Sequence, residues 1–301
     1  MPCKKPTVFD YRNPNVAYPC GQCIQCRINK RRIWAHRIML ETLAHDAPSS
    51  FLTLTYADEK LPVDCYHPRT GQVYADYSVQ PQHAKEFLEK LKYRLGYTPR
   101  NYYVGEYGSK TQRPHYHLAL FGYPPCSHGS PYVNGVFQPC RCKSCKLLSD
   151  TWGQGHILNG SLSVDSAQYI AGYIEKKLTS DKTEYQANIL KGRFPEFSRM
   201  SRRPGIASFA VDRISDVLKK RLLIEKDDVP LALVHGSKVL PLGRYLSDKI
   251  HEKMGHTYEP HERQQTFEKN LRAVCISHAA RSTIAPLLGH SMAHALTFLG
   301  R

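Results

Sequence analysis

The sequence predicts an α+β fold in which an antiparallel sheet carries helices on one face. Apolar side chains recur at helical spacing in several charged stretches, and runs rich in aromatic, Leu and Thr residues lie between them. Two of these runs are separated only by a short polar segment, which predicts a hairpin. The resulting order is helix, strand, helix, strand, strand, short strand, helix, and it is typical of an α+β sandwich.

The first elements follow a Pro- and Cys-rich segment that ends near residue 26. Four apolar residues at near-helical spacing then predict a basic helix: Ile33, Trp34, Ile38 and Leu43. FLTLTY (51–56) predicts a strand, and QHAKEFLEKLKYRLG (82–96) predicts a helix that ends at Gly96. RNYYVGEYG (100–108) and PHYHLALFG (114–122) predict the two strands of the hairpin.

The last two elements follow a second Cys-rich stretch. GHIL (155–158) predicts a short strand. SVDSAQYIAGYIEKKL (163–178) predicts a helix with Asp165 as its N-cap and Gln168 as the capping-box partner. We expect three parts in the chain: a Cys-rich N-terminal element (1–30), a central domain (31–206) with a Cys-rich insertion at about 124–146, and a C-terminal helical and loop region of unknown role (207–301).

Composition indicates a globular protein with a polyanionic partner. The 301 residues are 41% hydrophobic and 23% charged, and 42 Lys and Arg against 26 Asp and Glu give a net charge of +16. This excess favours nucleic acid, the alternative being a protein that is merely basic. No stretch approaches the roughly 18 apolar residues of a membrane span, and the N-terminus lacks the apolar core of a signal peptide. We therefore expect a cytosolic protein without a membrane partner, in which reduced, clustered cysteines bind metal.

Two histidines in the hairpin suggest a metal site. His115 and His117 share one face of their strand because successive side chains alternate. A four-residue loop pairs positions whose numbers sum to about 221, which places Glu106 opposite His115. Two imidazoles and a carboxylate suit Mg²⁺ or a divalent transition ion with positions left open for water or substrate. The alternative is a solvated strand face with Glu106 in a surface ion pair.

Two tyrosines in AQYIAGYIEKK (167–177) are candidate nucleophiles. Tyr169 and Tyr173 are four residues apart, so a helix places them on one face, and Lys176 extends that face. A phenol with a pKa near 10 is a poor nucleophile at neutral pH, but a nearby cation or a metal that makes a phosphate more electrophilic compensates. The alternative is an ordinary apolar stripe packed in the core. Combined with the metal site, a tyrosine could attack a phosphodiester and keep the broken strand as a phosphotyrosine, which a 3′-hydroxyl can later rejoin.

The ordered set of motifs resembles the HUH endonucleases, and within them the rolling-circle replication initiators of gokushovirus-type Microviridae phages. The resemblance covers residues 1 to about 206 and rests on five stretches: PCGQCIQCR with the basic helix after it, FLTLTY, GEYGSKTQRPHYHLALFG, AQYIAGYIEKK and FSRMSRRPGI. It implies a palm-like, RRM-like antiparallel sheet with packed helices in the central domain. Between the histidines the family's hydrophobic position is Tyr116, an aromatic residue.

The resemblance also implies roles for individual residues. His115, His117 and Glu106 would be ligands of Mg²⁺ or Mn²⁺, Tyr169 and Tyr173 the nucleophiles, and Lys176 their cationic partner. The implied activity is a metal-dependent DNA endonuclease and strand transferase, which nicks and rejoins single-stranded viral DNA at the replication origin through a 5′-phosphotyrosine. No GxxxxGK[ST] motor motif is present in the sequence, so we expect a host helicase and a host polymerase as partners.

Two cysteine groups have spacings that suit structural zinc, the alternative being ordinary thiols. The first group is Cys3, Cys20, Cys23 and Cys26; the second is Cys126, Cys140, Cys142 and Cys145, with His128 as an alternate ligand. A zinc loop would explain how an insertion with few apolar residues folds. Neither set leaves an open coordination position, so we expect neither to be catalytic.

Eight basic residues are candidates for phosphate contacts, although any one of them could be a solvated charge. They are Arg27, Lys30, Arg31, Arg32, Arg37, Arg199, Arg202 and Arg203. Two other functions stay open at this point. One is a non-enzymatic, zinc-stabilised nucleic-acid-binding protein, and the other is a transposase or relaxase of the same endonuclease class.

Overall fold

The chain forms two compact units, residues 45–203 and the combination of residues 1–44 with residues 204–301. The computed structural model describes residues 3–6, 18–67, 69–128, 132–133, 136–176, 190–222, 229–235 and 237–255. The predicted division at residues 30 and 206 stays a prediction. In these units the first helix groups with elements that follow residue 203.

The described elements are helices and short strands. The helices are α1 (Ile24–Thr42), α2 (Pro81–Leu95), α3 (Lys143–Trp152), α4 (Val164–Lys176), α5 (Ala210–Leu222) and α6 (Gly243–Met254), with a 3₁₀ turn at Asp58–Lys60. The strands are β1 (Ser50–Thr55), β2 (Asn101–Tyr107), β3 (Pro114–Leu120), β4 (Tyr132–Val133), β5 (Val136–Phe137), β6 (Ile157–Ser161), β7 (Phe197–Met200), β8 (Ala232–His235) and β9 (Lys238–Pro241).

Five antiparallel strands build the sheet of the unit 45–203, in the order β6-β1-β3-β2-β7. The predicted α+β class with an antiparallel sheet is confirmed. The hairpin has the predicted register, because Glu106 pairs with His115. On its other side β3 pairs with β1, which places Thr53 opposite His117. The central strand β3 therefore presents both histidines between neighbours on β2 and β1.

Helices cover both faces of this sheet, so the expectation of helices on one face is wrong. Alternation sends Leu54 and Tyr116 to one face, where they join a core with Phe87 of α2 and Trp152 of α3. The opposite face also carries buried apolar side chains, including Val104 and Ala119, each 0% exposed. Since apolar area on both faces must be removed from water, the second face needs a cover as well. Helix α4 lies on that face, and its side chains contact those of β1, β2 and β3.

The N-terminus of α4 is fixed by two serines. Ser163 Oγ accepts a hydrogen bond from the backbone N–H of Ser166 at 3.2 Å, and Ser166 Oγ accepts one from the backbone N–H of Ser163 at 2.8 Å. This reciprocal pair caps the helix, which begins at Val164. The predicted cap, Asp165 with Gln168, is therefore wrong. Asp165 instead lies in the first turn, where its charge complements the positive end of the helix dipole.

The other unit packs α1 against elements from the second half of the chain. Arg37 is only 8% exposed, and its guanidinium donates to the Ile206 carbonyl and lies 4.3 Å from the ring centroids of both Trp34 and Tyr245. Because it is buried and contacts these groups, the Arg37 side chain holds α1 in place and is not accessible to a phosphate. The structure thus corrects the assignment of Arg37 as a phosphate contact. No described helix has the length and apolar character that crossing a membrane requires.

A buried histidine pair joins α1 to the β8–β9 hairpin. His36 Nδ1 donates to the Pro241 carbonyl at 2.9 Å, since a carbonyl can only accept. The Nε2 atom of neutral His36 is then an acceptor, and it lies 2.9 Å from Nε2 of His235. Burial, followed by the proximity of His235, lowers the pKa of His36 to about 3, and burial lowers the pKa of His235 to about 4.

We expect this pair to make the fold sensitive to acid. Both pKa values are lower in the folded chain than in the unfolded chain, so the contribution to stability is complete above about pH 6.5 and decreases as the pH falls towards 4. Urea unfolding measures the free energy of unfolding at about pH 7.5 and about pH 5. Between these two pH values the wild type should lose roughly 2 kcal/mol more of it than His235→Gln does. An identical pH dependence in both proteins would contradict this assignment.

Candidate metal and tyrosine site

Three side chains converge on one patch of the sheet face that α4 covers. Oε1 of Glu106 lies 2.8 Å from Nε2 of His115 and 2.9 Å from Nε2 of His117. The hairpin register produces this arrangement, because it pairs Glu106 with His115 while His117 is two residues further along the same face. Glu106 is 1% exposed and His117 is 7% exposed, so the patch is largely shielded from water. The predicted juxtaposition of these three residues is confirmed.

This patch could hold a metal ion. Its three ligand atoms lie within 4.8 Å of one another. Burial alone would raise the pKa of Glu106, but hydrogen bonds from His115 and His117 outweigh it and lower that pKa to about 2. The carboxylate is therefore ionised at neutral pH and can act as a ligand. Two imidazole nitrogens and one carboxylate oxygen form a donor set that suits a divalent transition ion and leaves coordination positions for other groups.

The second ring nitrogen of each histidine also has a partner. Nδ1 of His115 lies 3.1 Å from the Arg113 carbonyl, and Nδ1 of His117 lies 2.9 Å from Oγ1 of Thr53. The ring of Phe51 is stacked on that of His117, with the centroids 5.4 Å apart and an interplanar angle of 8°. Our sequence reasoning missed Thr53 and Phe51. Strand alternation in FLTLTY could have found them, because residues 51, 53 and 55 share a face.

The two tyrosines of α4 lie over the same patch. The hydroxyl of Tyr169 is 3.1 Å from Oε1 of Glu106 and 3.4 Å from Nε2 of His117. Tyr173 packs its ring almost parallel to that of His117, at a centroid distance of 6.4 Å, and edge-on to Tyr169 at 5.3 Å. Burial raises the pKa of both phenols, so neither is ionised at neutral pH. Lys176 ends the helix, but its side chain lies outside the described part of the structure.

Each predicted cysteine group forms a cluster of four thiols that could hold a metal ion. In the first cluster, Sγ of Cys3 lies 3.4 Å from Sγ of Cys20 and 3.8 Å from Sγ of Cys23. In the second, Sγ of Cys126 lies 3.5 Å from Sγ of Cys140. Tetrahedral zinc with Zn–S bonds of about 2.3 Å separates its sulfurs by about 3.8 Å, which is close to these distances.

Backbone amides support a thiolate in both clusters. Hydrogen bonds from backbone N–H groups, that of Lys4 first, lower the pKa of Cys23 to about 6. The N–H of Cys145 does the same for Cys142, whose pKa is also about 6. The predicted alternate ligand His128 is near the second cluster, with Nδ1 3.7 Å from Sγ of Cys140. Because thiolates are the form that binds metal, the lowered pKa of Cys23 and Cys142 is compatible with a metal ion in each cluster, although burial raises the pKa of Cys26 and Cys145.

The remaining basic candidates are distributed over both units. Exposed side chains occur at Lys30, Arg32, Arg199, Arg202 and Arg203, and half-buried ones at Arg27 and Arg31. Arg199 pairs with Tyr103 across β7 and β2, so it lies on the face of the sheet opposite to Glu106. Its guanidinium is 5.4 Å from the ring centroid of Phe197. A phosphate contact at Arg199 would therefore not be to the nucleotide at the metal patch.

Comparison with known proteins finds similarity to replication-associated proteins of phages. Residues 49–178, which contain the metal patch and both tyrosines, match the family model Replication-associated protein ORF2/G2P. The chain is 36% identical over 163 residues to replication-associated protein VP4 of Bdellovibrio phage phiMH2K, which covers 54% of this chain and 49% of that protein. It is 29% identical over 242 residues to replication-associated protein ORF2 of Spiroplasma virus 4, which covers 78% of this chain and 68% of that protein.

The chain is also similar to a third phage replication-associated protein. Replication-associated protein ORF4 of Chlamydia phage 1 is 27% identical over 165 residues, which covers 53% of this chain and 38% of that protein. The chain thus spans about half the length of the phiMH2K relative and less of the Chlamydia phage one. No solved structure matches the chain. The resemblance to phage replication proteins that the motifs predict is confirmed.

Proposed function

We propose that this chain initiates rolling-circle replication by nicking and rejoining single-stranded DNA at an origin through a phosphotyrosine. The observation that carries the proposal is the position of Tyr169, whose hydroxyl lies 3.1 Å from Oε1 of Glu106 and 3.4 Å from Nε2 of His117. A candidate nucleophile and a candidate metal site thus share one patch. The similarity to phage replication-associated proteins supports the same function.

Glu106, His115 and His117 would hold the catalytic ion, Mg²⁺ or Mn²⁺. When bound, such an ion would withdraw charge from the scissile phosphate and make phosphorus more electrophilic. The protein's part is to fix the ligands before the substrate arrives. The strand register and the low exposure of Glu106 and His117 achieve this, because they restrict the side chains to one arrangement.

Tyr169 would perform the transesterification. Its phenolic oxygen forms a bond to phosphorus while the bond from phosphorus to the 3′ oxygen breaks, and the leaving 3′ oxygen takes up a proton. Because burial keeps the pKa of Tyr169 above its ordinary value, the phenol loses its proton during the attack rather than before it. The strand stays attached through its 5′ phosphate, so a later 3′-hydroxyl can reverse the reaction without ATP.

Tyr173 would supply the second nucleophile. It lies one helical turn from Tyr169, and its ring contacts both Tyr169 and His117. While one tyrosine holds the 5′ end, the other could attack the next origin copy. Lys176 follows on the same helix and would neutralise the charge that develops on the phenol or phosphate.

The substrate and partners follow from this chemistry. The substrate would be a single-stranded origin in the host cell, held by the predicted basic residues other than Arg37. We found no nucleotide-dependent motor motif in the sequence, so a host helicase would unwind the duplex and a host polymerase would extend the free 3′ end.

A covalent-adduct assay tests the proposed function. Labelled single-stranded oligonucleotides that tile the DNA carrying the gene are incubated with the full chain and Mn²⁺, and the products are separated under denaturing conditions. We expect one tile to give a protein–DNA adduct that EDTA prevents. DNA binding without any adduct would favour the non-enzymatic binding protein instead. The sequence of the reactive tile, compared with the genes around it, would distinguish a phage origin from a transposase or relaxase site.

We further propose that each cysteine cluster binds one structural Zn²⁺. Metal analysis of the purified chain should then give two zinc ions, and Cys142→Ser should lower the content to one, because it removes a ligand with a pKa near 6. Cys65→Ser is the matched control, since Cys65 is buried but belongs to neither cluster. A zinc content that Cys142→Ser leaves unchanged would contradict the assignment.

A further inference from the structure

We infer that Thr53 is a positioning residue for the metal site, holding His117 in the orientation in which Nε2 binds the ion. This inference rests on the proposed function and goes beyond it, since it concerns a residue that is neither a ligand nor a nucleophile. Thr53 lies opposite His117 in the register of β1 and β3. Its Oγ1 is 2.9 Å from Nδ1 of His117.

The contacts of His117 leave one nitrogen for the metal. Nε2 faces Oε1 of Glu106 at 2.9 Å, so a metal at the patch would bind that nitrogen. A neutral imidazole that coordinates through Nε2 must carry its proton on Nδ1. Thr53 Oγ1 is in place to accept that proton in a hydrogen bond. Such a bond holds the ring in this orientation and, with the proton on Nδ1, raises the basicity of the ligand nitrogen.

A second contact fixes the plane of the same ring. Phe51, two residues before Thr53 on the same face, stacks on His117 with an interplanar angle of 8°. Stacking restrains the tilt of the imidazole but does not distinguish its two nitrogens. The hydroxyl of Thr53 contacts Nδ1 and so fixes which nitrogen faces Glu106, which makes the effects of the two side chains of β1 complementary.

The two histidines are therefore held by different means. His115 donates from Nδ1 to the Arg113 carbonyl, a backbone group that also accepts the Gly108 N–H at 3.0 Å. No substitution of a side chain removes that acceptor. His117 depends on a side-chain hydroxyl instead, so its orientation can be changed by a single mutation on β1.

The experiment measures the affinity of the full chain for Mn²⁺ with one equivalent of Zn²⁺ in each cysteine cluster and no free Zn²⁺, since free Zn²⁺ would compete for the patch. Thr53→Val keeps the β-branched shape and removes the hydroxyl, and we expect it to weaken Mn²⁺ binding about 10- to 100-fold. Thr53→Ser keeps the hydroxyl and should stay within about 3-fold of the wild type.

Thr55→Val is the matched control. Thr55 lies on the same strand face, opposite His115, but its hydroxyl donates to the His156 carbonyl. We expect no loss of Mn²⁺ affinity in this variant. A Thr53→Val protein that binds Mn²⁺ like the wild type would overturn the inference and leave the proposed function intact. A wild type that binds no Mn²⁺ would overturn both.

An NMR measurement on the wild type covers the case in which Thr53→Val fails to fold. In ¹H–¹⁵N spectra of the imidazole groups with the metal site filled by Mg²⁺, the proton of His117 should be on Nδ1. A proton on Nε2 of His117 would overturn the inference without any variant.

Discussion

Replacing Tyr169 with Phe will reduce formation of the covalent DNA adduct by at least about 100-fold, because it removes the oxygen that attacks phosphorus. Tyr173→Phe should reduce the first adduct by less than about 10-fold. The difference follows from position: the Tyr169 hydroxyl reaches Glu106 and His117, whereas Tyr173 packs its ring beside His117. The rate is measured with the reactive oligonucleotide under single-turnover conditions.

A matched control separates loss of the nucleophile from loss of structure. Tyr93→Phe makes the same chemical change on α2, at a side chain that is 82% exposed, and should leave the rate unchanged. The double variant Tyr169→Phe with Tyr173→Phe should form no adduct. An undiminished adduct in the double variant would show that α4 does not supply the nucleophile.

Replacing His117 with Ala will abolish adduct formation at micromolar Mn²⁺ while leaving DNA binding intact. The loss of one of three ligands should weaken Mn²⁺ binding at least about 100-fold. Glu106→Gln should have a similar effect, because it removes the charge while keeping the shape of the side chain. Raising the Mn²⁺ concentration should restore part of the activity in both variants.

The thermal unfolding of the metal-free proteins provides the control for this second prediction. If metal-free His117→Ala unfolds at the same temperature as the metal-free wild type, its loss of adduct formation results from weaker metal binding and not from loss of structure. Unchanged adduct formation in both variants would exclude the Glu106, His115 and His117 patch as the catalytic centre.

The patch of Glu106, His115 and His117 could be predicted from the sequence because its geometry is local. A short hairpin loop fixes the register of β2 and β3, and the register alone brings Glu106 to His115. Alternation then adds His117 to the same face. The helical spacing of Tyr169 and Tyr173 is equally local, so their common face was also predictable.

What the sequence could not show depends on contacts between distant segments. Helix α1 groups with elements after residue 203 through Arg37, which donates to the Ile206 carbonyl. A single sequence does not show that aromatic rings will enclose one particular arginine of a basic stretch. Likewise, β7 is only four residues long, and Gly105 of β2 leaves the space in which Phe197 packs.

The sequence pattern also could not predict which face of the sheet α4 covers. Its own periodicity shows which residues share a face but not which side of the sheet that face covers. The cap at Ser163 was missed because Asp165 satisfies the same sequence rule two residues later. Thr53 was missed because its importance arises only from the partner strand that lies beside it.

Mapping the covalent bond by mass spectrometry tests the central claim most directly. The adduct formed with Mn²⁺ is digested with nuclease and trypsin, and the peptide that retains a nucleotide is sequenced. The account predicts the peptide 147–176, with the nucleotide joined through its 5′ phosphate to Tyr169 or Tyr173. A nucleotide attached to any other residue, or joined through a 3′ phosphate, would contradict it.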